Sequence, residues 1–274
     1  MNVDSGATRI ARAFATARAQ GRAAMIPYLP LGYPQQERAL ALAQGAIDGG
    51  ADLLELGIPF SDPLADGPLI QRATHIALNK GTTVARCLEM ANQLRRKASW
   101  PPFVFMGYYN PLLAYGVEAF CRGCNDAGVD GLIVPDLPPE EGEELEGACQ
   151  EQGVALIYLL APTSPLERVR LVSERSVGFI YLVSVTGITG PRNQLPPDLA
   201  AFVQRVRKVS DKPLAVGFGI SSLAQASKVA QLADGVIVGS ELVRRAQGKD
   251  GVEQVREFVS GLRRAVIRGQ KGER

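Results

Sequence analysis

The sequence predicts an α/β protein in which eight parallel strands close into a (β/α)8 TIM barrel. Short apolar runs alternate with amphipathic stretches along the whole chain, as expected for strands that alternate with helices. The chain has 274 residues, a length at which such a barrel is commonly a single unit. No linker, low-complexity tract or break in composition interrupts it. We therefore predict one domain over residues 1–274.

The individual elements follow from the alternation. Eight apolar runs are predicted to be strands, at residues 24–31, 52–57, 103–109, 130–136, 154–160, 177–184, 213–219 and 234–240. Amphipathic patterns predict helices near 36–48, 82–97, 117–127, 140–152, 165–174, 198–208, 222–232 and 251–268. We expect extra helices in the connections after the second and eighth strands. An open doubly wound sheet fits the same alternation, but no G-x-G-x-x-G turn opens the first helix, so the barrel is favoured.

The N-terminal stretch RIARAFATARAQGRAA allows two interpretations. It is rich in arginine and lacks acidic residues, as transit peptides do. However, Ile10, Phe14 and Ala17 fall at helical spacing, and the stretch runs directly into an apolar strand. We favour an amphipathic helix that covers the bottom of the barrel. Since there is no secretory signal either, the cytoplasm is the expected location.

Composition excludes several classes of function. The formal net charge is +2, and acidic and basic residues are interspersed, so nucleic acid is not an expected partner. No apolar run approaches the roughly 20 residues that span a bilayer. Cys121 and Cys124 form a CxxC inside a helix-like segment without a second cysteine pair, which favours packing over metal or redox chemistry. With His75 as the single histidine, multi-histidine metal sites are excluded, so we expect no metal, and acid–base chemistry would fall to carboxylates or tyrosine.

The segment LELGIPFSDPLADG carries the most informative residues. Alternation in its strand puts Glu55 on the face opposite Leu54 and Leu56. If the leucines meet the helical shell, Glu55 points into the barrel, where desolvation would raise its pKa and suit it to give and take a proton. The alternative is a structural ion pair with an arginine.

Two aspartates follow in the loop. Asp62 precedes Pro63 and fits a turn former well. Asp66 fits that role less well, because the loop is longer than a turn requires. Their spacing could also hold Mg²⁺, but no third oxygen-rich segment accompanies them. We therefore expect Glu55 and Asp66 to form an acid–base pair whose environments separate their pKa values.

The sixth strand and the loop after it add a tyrosine and glycines. Tyr181 could fill the core, or it could place its hydroxyl beside Glu55. The loop TGITGPRNQLPPD contains Gly187 and Gly190. So glycine-rich a connection indicates a mobile lid, with an ordinary surface loop as the alternative.

Glycines at the ends of the last two strands predict an anion site. VGFGISS starts a helix at Ser221 or Ser222, and VIVGSELV places Gly239 and Ser240 before a short helical stretch. Such glycines let backbone N–H groups approach a phosphate, and barrels commonly hold phosphate after strands 7 and 8. Because chemistry in such barrels lies at the C-terminal strand ends, the residues predict a carboxylate-driven lyase or isomerase acting on a phosphorylated small molecule.

The order of the motifs identifies a resemblance. The sequence is similar to the tryptophan synthase alpha subunit family over nearly its whole length. The similarity is carried by LELGIPFSDPLADG with GPLIQRA, MGYYNPLLAYG, GVDGLIVPDLP, YLVSVTGITG, GFGIS and VIVGS. The sequence departs from common family patterns at Pro30, Tyr33 and Val185.

The resemblance implies a reaction and a set of roles. The family cleaves indole-3-glycerol phosphate to indole and glyceraldehyde 3-phosphate without a cofactor. By resemblance, Glu55 is the acid–base group, Asp66 binds the indole N–H, and Tyr181 assists near Glu55. The other implied residues are Gly190, Gly219, Gly239 and Ser240 for phosphate, Tyr28, Met106, Leu159 and Phe218 for the indole pocket, and Gly187 and Thr189 for the lid, with Thr189 closing over Asp66.

The resemblance also implies a partner. A tryptophan synthase beta subunit would receive the indole in an alpha2beta2 complex, and segments 58–68 and 106–116 would face it. Three alternatives stay open: a stand-alone lyase without a beta partner, a subunit that only binds and regulates its partner, and a different phosphate barrel such as a sugar-phosphate isomerase.

Overall fold

The structure, a computed structural model, describes residues 5–183, 195–217 and 219–267. In this part of the chain, parallel strand segments form one barrel-like sheet surrounded by helices. The strands are β1 (Ala24–Pro30), β2 (Leu54–Gly57), β3 (Phe103–Met106), β4 (Gly131–Ile133), β5 (Ala155–Ile157), β6 (Leu159–Leu160), β7 (Ile180–Val183), β8 (Leu214–Gly217) and β9 (Gly235–Val238). Their order around the barrel is β5-β4-β3-β2-β1-β9-β8-β7-β6. The predicted fold class is confirmed.

One predicted strand is divided in two. The run 154–160 forms β5, which pairs with β4, and β6, which pairs with β7. Tyr158 separates the two pieces, and its backbone N–H is bonded to the Ser176 hydroxyl oxygen over 3.1 Å. A single stretch of chain therefore joins the two ends of the sheet, because its first half pairs on one side and its second half on the other.

Helices fill the connections between strands. They are α1 (Gly6–Ala19), α2 (Gln36–Asp48), α3 (Pro68–Asn79), α4 (Val84–Lys97), α5 (Tyr109–Tyr115), α6 (Val117–Asp126), α7 (Glu143–Glu151), α8 (Leu166–Arg175), α9 (Leu199–Arg207), α10 (Leu223–Ala230), α11 (Ser240–Arg245) and α12 (Gly251–Ala265), with a 3₁₀ turn at Pro139–Glu141. The predicted helices agree with these to within a few residues. The extra helices are confirmed: α3 precedes α4 after the second strand, and α11 precedes α12 after the last.

Helix α5 was not predicted, and the strand prediction 103–109 was too long. The strand ends at Met106, and a helix begins at Tyr109. The backbone N–H of Tyr109 is bonded to the Asp136 carboxylate over 3.0 Å, which satisfies a donor in the first turn. Pro111 is tolerated there for the same reason, because the first-turn N–H groups have no partner within the helix.

Helix α1 covers the N-terminal end of the barrel, as predicted. Ile10, Phe14 and Ala17 are buried on one face. The Phe14 and Phe179 rings lie 5.4 Å apart between centroids. The backbone N–H of Gly6 is bonded to the carbonyl of Gly153 over 2.9 Å. The helix closes the bottom of the core and leaves the opposite end free.

A repeated arrangement holds the bottom together. Buried Asp52, Asp130 and Asp234 each precede a strand and accept a backbone N–H from the neighbouring strand. Those bonds come from Met25, Phe103 and Leu214 over 2.8, 2.7 and 3.0 Å. Each aspartate is also ion-paired with two arginines, which are Arg22 and Arg263, Arg9 and Arg95, and Arg207 and Arg18 in turn. The Ser176 hydroxyl, which accepts the Tyr158 backbone N–H, repeats the pattern at the divided strand. The residues before β2, β4, β7 and β9 therefore each fix the strand region that precedes them in the chain.

Candidate active site

A cavity opens at the C-terminal ends of the strands. It brings together residues from β1, β2, β3, β7, β8 and β9 and from the segments that follow them. Its described lining is Tyr28, Glu55, Asp66, Ile70, Met106, Tyr181, Gly219, Ile220, Ile237, Gly239 and Ser240. The two carboxylates, the tyrosine and part of the glycine-rich rim predicted from sequence therefore share one space.

Glu55 is buried without a compensating charge. It is only 1% exposed, and in β2 its Cα pairs with Tyr28 on one side and Val104 on the other. Neither of its carboxylate oxygens has a hydrogen-bond partner among the described residues, and none of the described arginines pairs with it, so the structural ion-pair alternative finds no support. Burial, and then the charge of Asp66, raise the pKa of Glu55 to about 8. The carboxyl group is therefore largely protonated at neutral pH.

Asp66 is held in the loop after β2 by three hydrogen bonds. The Tyr108 hydroxyl donates to Asp66 Oδ2 over 3.1 Å. The Asp66 backbone N–H is bonded to the Pro63 carbonyl over 3.0 Å, and the Gln71 amide donates to the Asp66 carbonyl over 2.9 Å. Burial raises the pKa of Asp66 to about 6, and the Tyr108 bond opposes that rise. At neutral pH this carboxyl group is mostly ionised while Glu55 is mostly protonated, which separates the two roles.

Tyr108 is a site residue that sequence reasoning missed. Its hydroxyl also accepts the backbone N–H of Ala65 over 3.0 Å, and its ring lies 5.3 Å from that of Phe60. The strand prediction 103–109 includes Tyr108, whereas the residue occupies the N-cap position of α5. The available signal was its position directly after the third strand, where rim residues are expected.

Tyr181 lies in β7 with its ring over β8. A Cβ added at Gly217 would stand 2.2 Å from the Tyr181 hydroxyl oxygen, so only glycine leaves room for the phenol. Burial, followed by the charges of Glu55 and Asp66, raises the pKa of Tyr181 well above its ordinary value. The phenol therefore stays protonated near both carboxylates. Gly217, the first glycine in VGFGISS, must therefore be a glycine for a steric reason, in addition to the anion site predicted from the two glycines of that motif.

The remaining rim residues line the cavity from two adjacent strands. Gly219, with φ +81°, follows β8, and Gly239 and Ser240 follow β9 at the start of α11. Ser222 is the N-cap of α10, since its side chain accepts the Gln225 backbone N–H over 3.2 Å. Backbone N–H groups at such turns suit an anion.

Several predicted residues lie elsewhere. Leu159 is half-buried in β6, paired with Tyr181, and is not part of the described lining. Asp62 is exposed and receives the Ser61 hydroxyl bond over 2.5 Å, as a turn residue would. Gly187, Thr189, Gly190 and Phe218, together with Val185, lie outside the described residues.

Apolar residues missed from sequence complete the wall. Ile237 lies in β9 two residues before Gly239, while Ile220 directly follows Gly219 and Ile70 lies in the first turn of α3. Alternation in the eighth strand gave the signal for Ile237. The other two are placed by loop and helix geometry that no periodicity specifies.

Other chemistry-bearing residues are packed away from the cavity. The four cysteines are buried and free, and the Cys121 and Cys149 sulfurs are 3.7 Å apart. His75 is exposed on α3. Within residues 5–183, 195–217 and 219–267, no group of three or more His, Cys, Asp or Glu side chains is placed to hold a metal. In the same ranges no helix combines the length and apolarity needed to cross a membrane.

A parallel barrel with two buried carboxylates and a small-residue rim at the C-terminal end defines a barrel enzyme with acid–base chemistry. Comparison with known proteins narrows this class: the profile of the tryptophan synthase alpha chain family matches residues 14–266. The chain belongs to the tryptophan synthase alpha chain family.

Individual relatives agree with the family match. The chain is 49% identical over 259 residues to the tryptophan synthase alpha chain of Dehalococcoides mccartyi, covering 94% of this chain and 99% of that one. It is 48% identical to the alpha chain of a Roseiflexus species, with 93% and 99% covered. Among solved structures, Mycobacterium tuberculosis tryptophan synthase superposes with a TM-score of 0.89 at 41% identity, covering 95% and 99%. The alpha subunit from Legionella pneumophila gives 0.87 at 36% identity, with 94% and 98% covered.

Proposed function

We propose that this chain is the lyase that cleaves indole-3-glycerol phosphate to indole and glyceraldehyde 3-phosphate, as the alpha subunit of tryptophan synthase in tryptophan biosynthesis. Family membership supports the alpha-subunit role. The observation that carries the chemistry is the pair of buried carboxyl groups on one cavity, with pKa values of about 8 for Glu55 and about 6 for Asp66.

The two carboxyl groups divide the work. Protonated Glu55 gives its proton to C3 of the indole ring, and ionised Asp66 accepts a hydrogen bond from the ring N–H and stabilises the positive charge that develops there. The Glu55 carboxylate then takes the proton from the glycerol hydroxyl next to the ring. The carbon–carbon bond breaks as that oxygen becomes the aldehyde, and the electrons return to the ring to release indole. The Tyr181 phenol assists near Glu55.

The rest of the substrate is assigned to the rim and the wall. Backbone N–H groups around Gly219, Gly239 and Ser240, with Gly190, hold the phosphate. The ring contacts Tyr28, Met106 and Phe218, and Leu159 lies beside Tyr181 in the neighbouring strand. Gly187 and Thr189 belong to the lid, with Thr189 closing over Asp66. Ile70, Ile220 and Ile237 extend the apolar surface that a flat ring requires.

We assign a tryptophan synthase beta subunit as the partner, in an alpha2beta2 complex. The relatives are named alpha chains, a name that implies a second chain. Exposed apolar side chains support docking at the expected segments: Leu64 is 87% exposed in 58–68, and Leu113 and Tyr115 are 51% and 40% exposed in 106–116. Contiguous exposed apolar patches mark interaction surfaces, and we infer that these side chains contribute to one. We assign the complex to the cytoplasm, without a membrane or nucleic-acid partner.

The proposal is tested by indole release from indole-3-glycerol phosphate, with and without a beta subunit. Cleavage that increases when the beta subunit is added supports the alpha-subunit role. Full cleavage without any response to the beta subunit, together with no capture of it in a pull-down, would instead favour a stand-alone lyase. No indole in either condition would contradict the proposed reaction.

A further inference from the structure

Tyr28 lies between the strand of the carboxylate and the strand of the phosphate site. Its strand, β1, pairs with β2 on one side and with β9 on the other. The Tyr28 Cα is in register with that of Glu55. On the opposite side, Pro27 pairs with Val238, so Tyr28 stands next to Gly239.

The ring is seated on glycines from both neighbours. A Cβ at Gly57 would lie 2.3 Å from the Tyr28 hydroxyl oxygen, and one at Gly239 would lie 2.9 Å from its Cδ1. Gly57 follows Glu55 by two residues in β2 and therefore shares its face of the strand. The phenol thus spans from the phosphate rim to the carboxylate strand, and neither glycine can be replaced without displacing it.

The Tyr28 side chain lines the cavity, and its hydroxyl makes no hydrogen bond to a described residue. The residue is 6% exposed and is part of the cavity lining. Burial, then Asp66 and Glu55, raise the pKa of Tyr28 well above its ordinary value, so the phenol remains a donor. A phenol donor at the cavity that has no protein partner is available to a ligand, and a ligand hydroxyl in the cavity would accept its hydrogen bond.

We propose that the Tyr28 hydroxyl donates a hydrogen bond to a hydroxyl of the three-carbon chain that links ring to phosphate, and so makes the site selective for a hydroxylated chain. The inference rests on the proposed function, which puts the ring at the two carboxylates and the phosphate at the β8 and β9 rim. The linking chain must run between these two ends and therefore alongside the Tyr28 phenol, whose ring lies against Gly239 and whose hydroxyl lies against Gly57. An apolar wall residue would favour chains with and without hydroxyls equally.

The test is the variant Tyr28→Phe, which keeps the ring and removes only the hydroxyl. Two ligands are compared: indole-3-glycerol phosphate as substrate, and indole-3-propanol phosphate, which has the same ring and phosphate but no chain hydroxyl, as inhibitor. We expect kcat/KM for the substrate to fall about 3- to 10-fold, the range for one neutral hydrogen bond. The inhibition constant of the propanol compound should change less than about twofold.

Controls separate this inference from its alternatives. Tyr158→Phe removes a hydroxyl that donates to Glu146 over 2.6 Å and that is not part of the cavity lining. This variant should leave kcat/KM for the substrate and the inhibition constant of the propanol compound unchanged. An equal loss for both ligands in Tyr28→Phe, or no loss for either, would overturn the inference. If Glu55→Gln also leaves cleavage intact, the proposed function is wrong. If Glu55→Gln abolishes cleavage while Tyr28→Phe discriminates between the two ligands as the unmodified chain does, only the role of Tyr28 is rejected.

Discussion

The Tyr108 hydroxyl donates a hydrogen bond to Asp66 Oδ2 over 3.1 Å, and this bond lowers the pKa of Asp66 against the effect of burial. Its removal should therefore raise the pKa of Asp66. In Tyr108→Phe we expect the acid limb of the pH profile of kcat/KM to move to higher pH, with the largest loss below pH 7. The measurement is the profile of indole release between about pH 5 and 9.

Tyr109→Phe is the matched control for that variant. Its hydroxyl is bonded to Glu144 over 3.3 Å, outside the cavity lining. Its profile, measured on the isolated subunit, should coincide with that of the unmodified chain. An unshifted acid limb in Tyr108→Phe would mean that Tyr108 does not set the charge of Asp66.

Glu55→Gln removes the group assigned to proton transfer. Since general acid–base catalysis contributes about 10²- to 10⁴-fold, we expect kcat to fall by at least that range while the ligand is still bound. Single-turnover cleavage and the inhibition constant of indole-3-propanol phosphate measure the two effects separately. Near-normal cleavage would remove Glu55 from the mechanism.

Asp66→Asn keeps the size of the side chain but removes its negative charge. The ring N–H loses its ionic acceptor, and the loss should appear in kcat more than in binding, because the charge on the ring develops during the reaction. We expect about a 10²-fold or greater decrease, together with loss of the acid limb near the Asp66 pKa of about 6. A variant with intact kcat and an unchanged acid limb would contradict the role.

Glu55 also makes stability depend on pH. Its folded-state pKa is about 8 against an ordinary 4.5, so the folded state holds the proton more tightly than the unfolded chain. The free energy of unfolding should therefore fall as pH rises from about 4.5 through about 8. In Glu55→Gln that decrease should shrink by about 3–5 kcal/mol, measured as denaturant unfolding at pH 5 and pH 9. An identical pH dependence in both proteins would show that Glu55 is not desolvated in the folded state.

Asp130→Asn tests the bottom of the barrel. Asp130 is ion-paired with Arg9 over 2.7 Å and with Arg95 over 2.8 Å, and it accepts the Phe103 backbone N–H. Breaking a largely buried pair costs about 3–5 kcal/mol, so Tm should fall clearly while KM stays the same. Glu253→Gln, which loses only an exposed pair with Arg256, should leave Tm unchanged. A shift in KM with unchanged Tm would show that the bottom acts on the site and not on stability.

Sequence patterns predicted the barrel, the covering helix and the sharing of one rim by Glu55, Asp66 and Tyr181. Alternation and strand order were enough, because side chains at the ends of parallel strands must converge. The same reasoning missed Tyr108, since its hydrogen bond depends on where β3 ends and α5 begins. It also treated Gly217 mainly as part of an anion site, whereas the space it leaves is filled by Tyr181.

Two other features could not be predicted from the hydrophobic pattern of the sequence. These are the division of the run 154–160 into β5 and β6 and the aspartate–arginine pairs at the bottom of the barrel. Tyr158 interrupts an apolar run that reads as continuous, because the break arises from pairing with two different neighbours. Asp52, Asp130 and Asp234 each stand just before a strand, and the sequence does not show which arginine, many residues away, reaches each one.

The ion-paired ring of aspartates at the bottom has a consequence for how this protein can change. The side-chain interactions that fix neighbouring strands are concentrated at the N-terminal end of the barrel, away from the loops that contact a ligand. Substitutions that reshape the ligand end can therefore accumulate with little threat to folding. In a laboratory redesign toward other substrates, the loops at the C-terminal ends of the strands should be varied, and Asp52, Asp130 and Asp234 should be kept unchanged.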